Sequence, residues 1–233
     1  MSSKSAEIAA LLRKAITEHQ LPPGTKISEQ DLADIVGVSR IVVRQSIIRL
    51  SEDGLVEIHR NRGAFVAAPG PQVAIHLFEA IGILEQGIVS IAVEKVHTRR
   101  WQALRQHTVH ENDEKSGINT PYIHDNEPHL AADFHRLWVG LSDNKILIEL
   151  HASLVNRALA LGMLYPLVED DVSILHDHNE LLDLIERGEQ EAARQLIVKH
   201  YQLSVRSFDF EGIAPVQKVS LHEALQGYFQ KAI

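Results

Sequence analysis

The chain has no cysteine among its 233 residues, which excludes disulfides and thiolate metal sites and permits a reducing compartment. It also lacks an apolar run of the ~20 residues that span a bilayer. Its opening stretch, MSSKSAEIAA, has no hydrophobic core of a secretory leader. The expectation is a cytoplasmic protein without a membrane segment. No internal repeat and no low-complexity tract is present. Positive charge is short as well, with 23 Lys and Arg against 31 Asp and Glu for a net −8. Such a balance argues against a chain that grips nucleic acid along its whole length. The deficit is uneven, however. Residues 1–68 carry nine basic and eight acidic side chains, and residues 69–233 carry fourteen and twenty-three. The first segment is close to neutral, so any contact with nucleic acid there would depend on the placement of individual arginines and on two copies acting together.

What is present is best read from Ser28 to Ala68. Ser28, with Asp31 three residues on, is in capping-box position at the start of a short helix. Leu32, Ala33 and Val36 give that helix one apolar face. Gly37 ends it as a residue that tolerates positive φ, and Ser39 is placed to cap the next helix. In that second helix Val43, Ile47 and Leu50 recur at helical spacing and are expected to face inward. The other side is left with Ile41, Arg44 and Gln45, and Arg40 stands in the first turn. After Gly54, two short apolar runs, Leu55–Ile58 and Ala64–Ala67, flank His59-Arg60-Asn61-Arg62-Gly63, which is a hairpin signal with a basic tip. Upstream, Ser5–Gln20 reads as an amphipathic helix, ended by Leu21-Pro-Pro-Gly24. Together these make a winged helix-turn-helix.

From Pro71 onward nothing alternates like a strand. Helical segments are predicted at Gln72–Val96, Arg99–Lys115, His124–Ser142, Asn144–Met163, Asp170–Arg187 and Glu189–Phe208, with a short one at Gln217–Ala232. The breaks fall at Gly117 and Pro121, at Pro166 and at Gly188. The fold class is mainly α: an N-terminal winged helix-turn-helix plus a C-terminal antiparallel all-α bundle of six or seven helices. The expected domains are residues 1–68 and 72–233, joined by a linker at 69–71 in Ala-Pro-Gly-Pro.

The first segment resembles the DNA-binding domain of GntR-type bacterial transcription regulators. The resemblance lies in the Pro-Pro-Gly, the Gly-Val-Ser-Arg turn, the Val-Arg that follows, and the Asp-Gly-Leu-Val leading to an Asn-Arg-Gly wing. It implies that Ser39, Arg40, Ile41, Arg44 and Gln45 meet bases and phosphates in the major groove. Arg62 and Gly63 at the wing tip would approach the backbone or minor groove, and Arg49 and Arg60 are further DNA-binding candidates. The competing reading pairs Arg44 or Arg49 with Glu52 or Asp53 on the helix surface.

The second segment is similar to the FCD domain of the FadR branch of those regulators. Phe134-His135, Ser142-x-Asn144, His178-Asn-Glu-Leu-Leu, Glu-Arg-Gly188, Ala192-Ala193 and His200 carry the likeness. The resemblance implies a homodimer on double-stranded operator DNA, controlled by a small carboxylate effector beside one divalent metal. His135, His178 and His200 match the family's metal-binding histidines and suit Zn²⁺ or Ni²⁺. The family's acidic ligand lies four residues before the first histidine, where this chain has Ala131. Either water or an effector carboxylate completes the sphere, or the site has decayed. Ile81 likewise stands where many relatives carry an Arg between Glu79 and Leu84-Glu85. Asn156 and Arg157 are candidates for holding an anionic effector, against an equal alternative of a surface salt bridge. His97, His107, His110 and His124 read as solvated positions, and His176 as surface or pocket rim. The regulator reading leads, with repression the expected sign and no catalytic residue. The alternative is a metal-dependent hydrolase using the three histidines, for which no general base stands out by spacing.

Overall fold

The computed structural model describes residues 3–115, 130–166, 173–212 and 220–229. The N-terminal unit opens with α1 (Lys4–Thr17), capped by the Ser3 side chain, which accepts from the Ala6 amide. Its buried row, Ile8, Ala9, Leu12, Ala15 and Ile16, packs against α3 (Arg40–Glu52). Between them stands α2 (Glu29–Val36), whose N-cap Ser28 accepts from the Asp31 amide. Gly37 ends α2 at φ +67°, a left-handed position that suits glycine. Val43, Ile47 and Leu50 of α3 are fully buried, as the apolar spacing predicts. Ser39 occupies the N-cap with extended backbone but makes no side-chain cap bond, contrary to the expected role.

The wing is β2 (Val56–His59) and β3 (Gly63–Val66), antiparallel with His59 opposite Gly63. A third strand, β1 (Lys26–Ile27), pairs with the other edge of β3, giving the order β1-β3-β2. Two residues are too few to show a period-two pattern, so β1 was not expected.

The helical unit holds α4 (Pro71–Lys95), α5 (Arg99–Lys115), α6 (Leu130–Gly140), α7 (Lys145–Leu164), α8 (Ser173–Glu186) and α9 (Gln190–Arg206). The segment expected from His124 is helical from Leu130 within the described residues, and His124 itself lies outside them. α4 carries a continuous inward row of Ala74, Phe78, Ile81, Gly82, Glu85, Ile88, Val89 and Ala92, spaced by one helical turn. It packs chiefly on α9, and α9 on α8. Trp101 and Arg105 of α5 both bond Glu186 of α8, each through a nitrogen 2.9 Å from Oε1.

Two described helices, α4 and α7, are long and apolar enough to cross a bilayer by length and composition, which the sequence reading did not anticipate. Core helices of soluble bundles share that property. Their buried faces here carry Glu85 and His151, which bond each other.

By spatial grouping the chain divides at Gly70 and Pro71, and each unit is compact. Residues 160–166 at the end of α7 and the described residues from Phe210 group with the N-terminal unit. This departs from the expected assignment of all of 72–233 to the second domain. The reason is α10 (Leu221–Phe229), which buries Leu221, Ala224 and Leu225 and packs against α1 and α2.

Candidate functional site

The exposed side of α3 follows from its buried side. With Val43, Ile47 and Leu50 facing the core, Arg40, Ile41, Arg44, Gln45 and Arg49 are exposed, and Ile41 retains 72% of its surface. Single exposed apolar side chains are ordinary on protein surfaces; here Ile41 shares its face of α3 with the arginines. Arg40 Nη2 lies 3.5 Å from Glu29 Oε2, and Arg44 Nε lies 4.0 Å from Glu29 Oε1. The intramolecular partner is therefore the first residue of α2, rather than Glu52 or Asp53. Asp53 is taken by Arg13 at 2.5 Å. Exposed ion pairs are worth about 0–1 kcal/mol, so a phosphate or base edge can displace Glu29 at small cost. In the wing, Asn61 at φ +63° and Gly63 at φ +96° form the turn, with Arg60, Arg62 and Gly63 exposed. The Arg62 guanidinium sits 5.6 Å over the Phe65 ring, which limits its freedom.

The second site is the centre of the helical unit. His135 of α6, His178 of α8 and His200 of α9 converge, with one nitrogen from each within 4.8 Å of the others. Phe134 stacks on the His178 ring at 3.9 Å. Asp177 Oδ2 lies 3.4 Å from His200 Nδ1, and the Tyr201 hydroxyl lies 3.0 Å from His135 Nδ1. Glu85 is also there, 1% exposed. Its Oε1 is 2.8 Å from His151 Nε2, and its Oε2 is 3.1 Å from His135 Nδ1. Burial alone would raise the Glu85 pKa, but His135 and His151, through their charge when protonated and through their hydrogen bonds, outweigh it and hold it at about 2. Burial lowers the pKa of His200, keeping its imidazole neutral and able to donate a lone pair. It raises that of Tyr201, an effect the charge of Glu85 reinforces.

The cavity these groups line, with Leu181, Leu196 and Ile197 as its apolar wall, has a volume of about 10 Å³, roughly one water or one ion. Three imidazoles from three helices are a donor set suited to Zn²⁺ or Ni²⁺. Ligand nitrogens on such an ion stand about 3–3.5 Å apart for metal–nitrogen distances near 2 Å. Small side-chain rotations would therefore close this set, and the residues fit the group.

Asn156 and Arg157 do not join the cavity. They follow the inward positions His151 and Val155 on α7, and consecutive helical residues point away from a shared face. Asn156 Oδ1 accepts from Arg136 Nη2 at 3.1 Å, and Arg157 is exposed. His97 is exposed and His107 half-buried. The side chains of His110, Ala131 and His176 lie outside the described residues. Sequence reasoning missed Glu85, His151, Asp177 and Tyr201 as site members. The available signal was a charged residue within the apolar row of α4, and polar neighbours adjoining two of the three histidines.

Two family patterns cover most of the chain. Residues 4–66 match the bacterial regulatory proteins of the gntR family, and residues 76–203 match the FCD domain. The chain belongs to the GntR family, in its FCD branch. It is a transcription regulator rather than an enzyme, and the hydrolase alternative finds no support. It is 30% identical over 135 residues to the Nta operon transcriptional regulator of Aminobacter aminovorans, a match spanning 58% of this chain and 62% of that relative. It is 22% identical to the Uxu operon regulator of Haemophilus influenzae over 88% of this chain and 82% of that one. Among solved structures, a GntR regulator from Rhodococcus sp. RHA1 superposes with a TM-score of 0.59 at 25% identity. That match covers 88% of this chain and 96% of the other. Lar of Listeria monocytogenes, at 17% identity and a TM-score of 0.61 over 88% of this chain and 96% of its own, shares the fold.

Proposed function

We propose that this GntR regulator is a cytoplasmic homodimeric repressor that binds a palindromic operator and is released by a small organic-acid effector. The observation that carries the reading is the exposed row of Arg40, Ile41, Arg44 and Gln45 on α3, backed by a buried apolar face. In a helix-turn-helix the N-terminal part of the second helix meets base edges. Arg40 and Arg44 suit guanine O6 and N7 or a phosphate, Ile41 suits a thymine methyl, and Gln45 suits adenine. Ser39, Arg49, Arg60, Arg62 and Gly63 supply backbone contacts that set register. Because residues 1–68 carry so little net positive charge, one copy binds weakly and two half-sites are needed. Ile83 of α4 and Ile146 and Leu150 of α7 are 69%, 78% and 52% exposed, and they support a dimer through these helices.

In the helical unit His135, His178 and His200 would hold one divalent ion. Such an ion offers open positions to a carboxylate oxygen. The neutral His200 and the stacked His178 present nitrogens to the cavity, and Tyr201 and Asp177 hold their neighbours in place. An effector of several atoms must widen the cavity to enter. Its differential affinity for the widened arrangement is the free energy that shifts DNA binding. Arg44→Ala is expected to weaken operator binding by about 1–3 kcal/mol, read by fluorescence anisotropy at fixed salt. Parent-like affinity in that variant would refute the docking.

A further inference from the structure

We infer that Glu85 is the anionic partner of the three-histidine site. From α4 it supplies the carboxylate that Ala131 cannot supply one turn before His135 on α6. The inference rests on the proposal that His135, His178 and His200 hold a divalent ion. Three neutral imidazoles bring no charge to offset a dication, and an uncompensated charge in a buried site is costly.

Glu85 is 1% exposed, and its two oxygens stand 3.0 and 3.1 Å from His135 Nδ1. A carboxylate at that distance requires Nδ1 to carry the proton, because a bare nitrogen would face it lone pair to lone pair. The proton on Nδ1 leaves the Nε2 lone pair of His135 for the ion. Glu85 thus acts through His135 as a positioning residue, in the way outer-shell carboxylates orient metal-binding histidines.

Two further contacts bear on this pair. His151, 1% exposed on α7, lies 2.8 Å from Oε1 through its Nε2, and the Tyr201 hydroxyl stands 3.0 Å from the same His135 Nδ1, where its oxygen can share the Nδ1 proton. Asp177 stands in a similar relation to His200, but at 3.4 Å, so its hold is weaker. A buried carboxylate between two imidazoles is seldom better for stability than apolar packing of equal volume. Its place beside a member of the histidine cluster gives it a different use.

The test uses the full chain stripped of metal and titrated with Zn²⁺ against a competing chelator. The proteins are the parent, Glu85→Gln, Ile88→Ala and His178→Ala, with folding followed by circular dichroism. Expected are about one ion per parent chain, a roughly 10–100-fold weaker constant in Glu85→Gln at unchanged stoichiometry, and loss of binding in His178→Ala. Ile88→Ala removes packing one turn along α4 and should leave the constant near that of the parent. Equal affinity in Glu85→Gln and the parent, with binding still lost in His178→Ala, would overturn the role of Glu85 and leave the three-histidine reading intact. No ion on the parent after Zn²⁺ or Ni²⁺ would overturn both. ¹⁵N correlation spectra of the stripped parent need no variant. A proton on His135 Nδ1 is expected, and a proton on Nε2 with Nδ1 bare would refute the assignment even if Glu85→Gln failed to fold.

Discussion

At the scale of single residues, the positions proposed to read DNA follow from subtraction. Once Val43, Ile47 and Leu50 are assigned to the core by their spacing, Arg40, Ile41, Arg44 and Gln45 must lie outside, and they do. Their intramolecular partner was not legible. Glu29 meets Arg40 and Arg44 only because the turn at Gly37 brings the start of α2 against the start of α3, and no local spacing encodes that. The buried centre shows the same limit. His135, His178 and His200 were visible one by one, whereas Glu85 and His151 are 66 positions apart and meet only when α4 and α7 pack. Glu29 offers a test of the proposed DNA contacts. Glu29→Gln removes a negative charge next to incoming phosphates and frees both arginines. Affinity for any duplex should rise by about 0.3–1 kcal/mol, while the ratio of operator to scrambled-duplex affinity falls. Binding of both duplexes measured at one salt concentration checks this, and an unchanged ratio would count against a positioning role for Glu29.

At the scale of elements, helices are set by cap and period, and those were read with little error. Ser28 caps α2 and Gly37 ends it in the left-handed region, both as the sequence indicates. The two-residue β1 and the lateral ties between helices were not readable, because they depend on partners far along the chain. The tie between α5 and α8 is one such case. Hydrogen bonds from Arg105 hold the Glu186 carboxyl below its ordinary 4.5 against a smaller effect of burial, with Trp101 adding to the shift. A folded-state pKa below the unfolded one stabilises the protein above the unfolded value. That contribution is lost as pH falls through the lowered value. Glu186 is partly exposed, so after discounting for solvent the contribution is about 0.5–1 kcal/mol. Urea midpoints of the parent and Glu186→Gln should differ at pH 7 and converge below pH 4.5. A gap that persisted in acid would mean the carboxylate charge is not what Arg105 holds.

At the scale of the whole molecule, the acidity lies in residues 69–233, and this is the ground for proposing that operator binding needs two copies. The surface for that pairing is a further expectation. Ile83→Glu with Leu150→Glu should convert a dimer to a monomer in analytical ultracentrifugation and weaken operator binding at least tenfold, while leaving the fold intact. A dimer that survives both charges would place the interface elsewhere.

The most direct measurement of the central claim is selection of bound duplexes from a random pool by the parent and by Arg44→Ala. The parent is expected to enrich an inverted repeat with guanine in each half-site, and Arg44→Ala to lose the preference at that guanine. An absence of enrichment by the parent, or the same repeat recovered by both proteins, would contradict the claim.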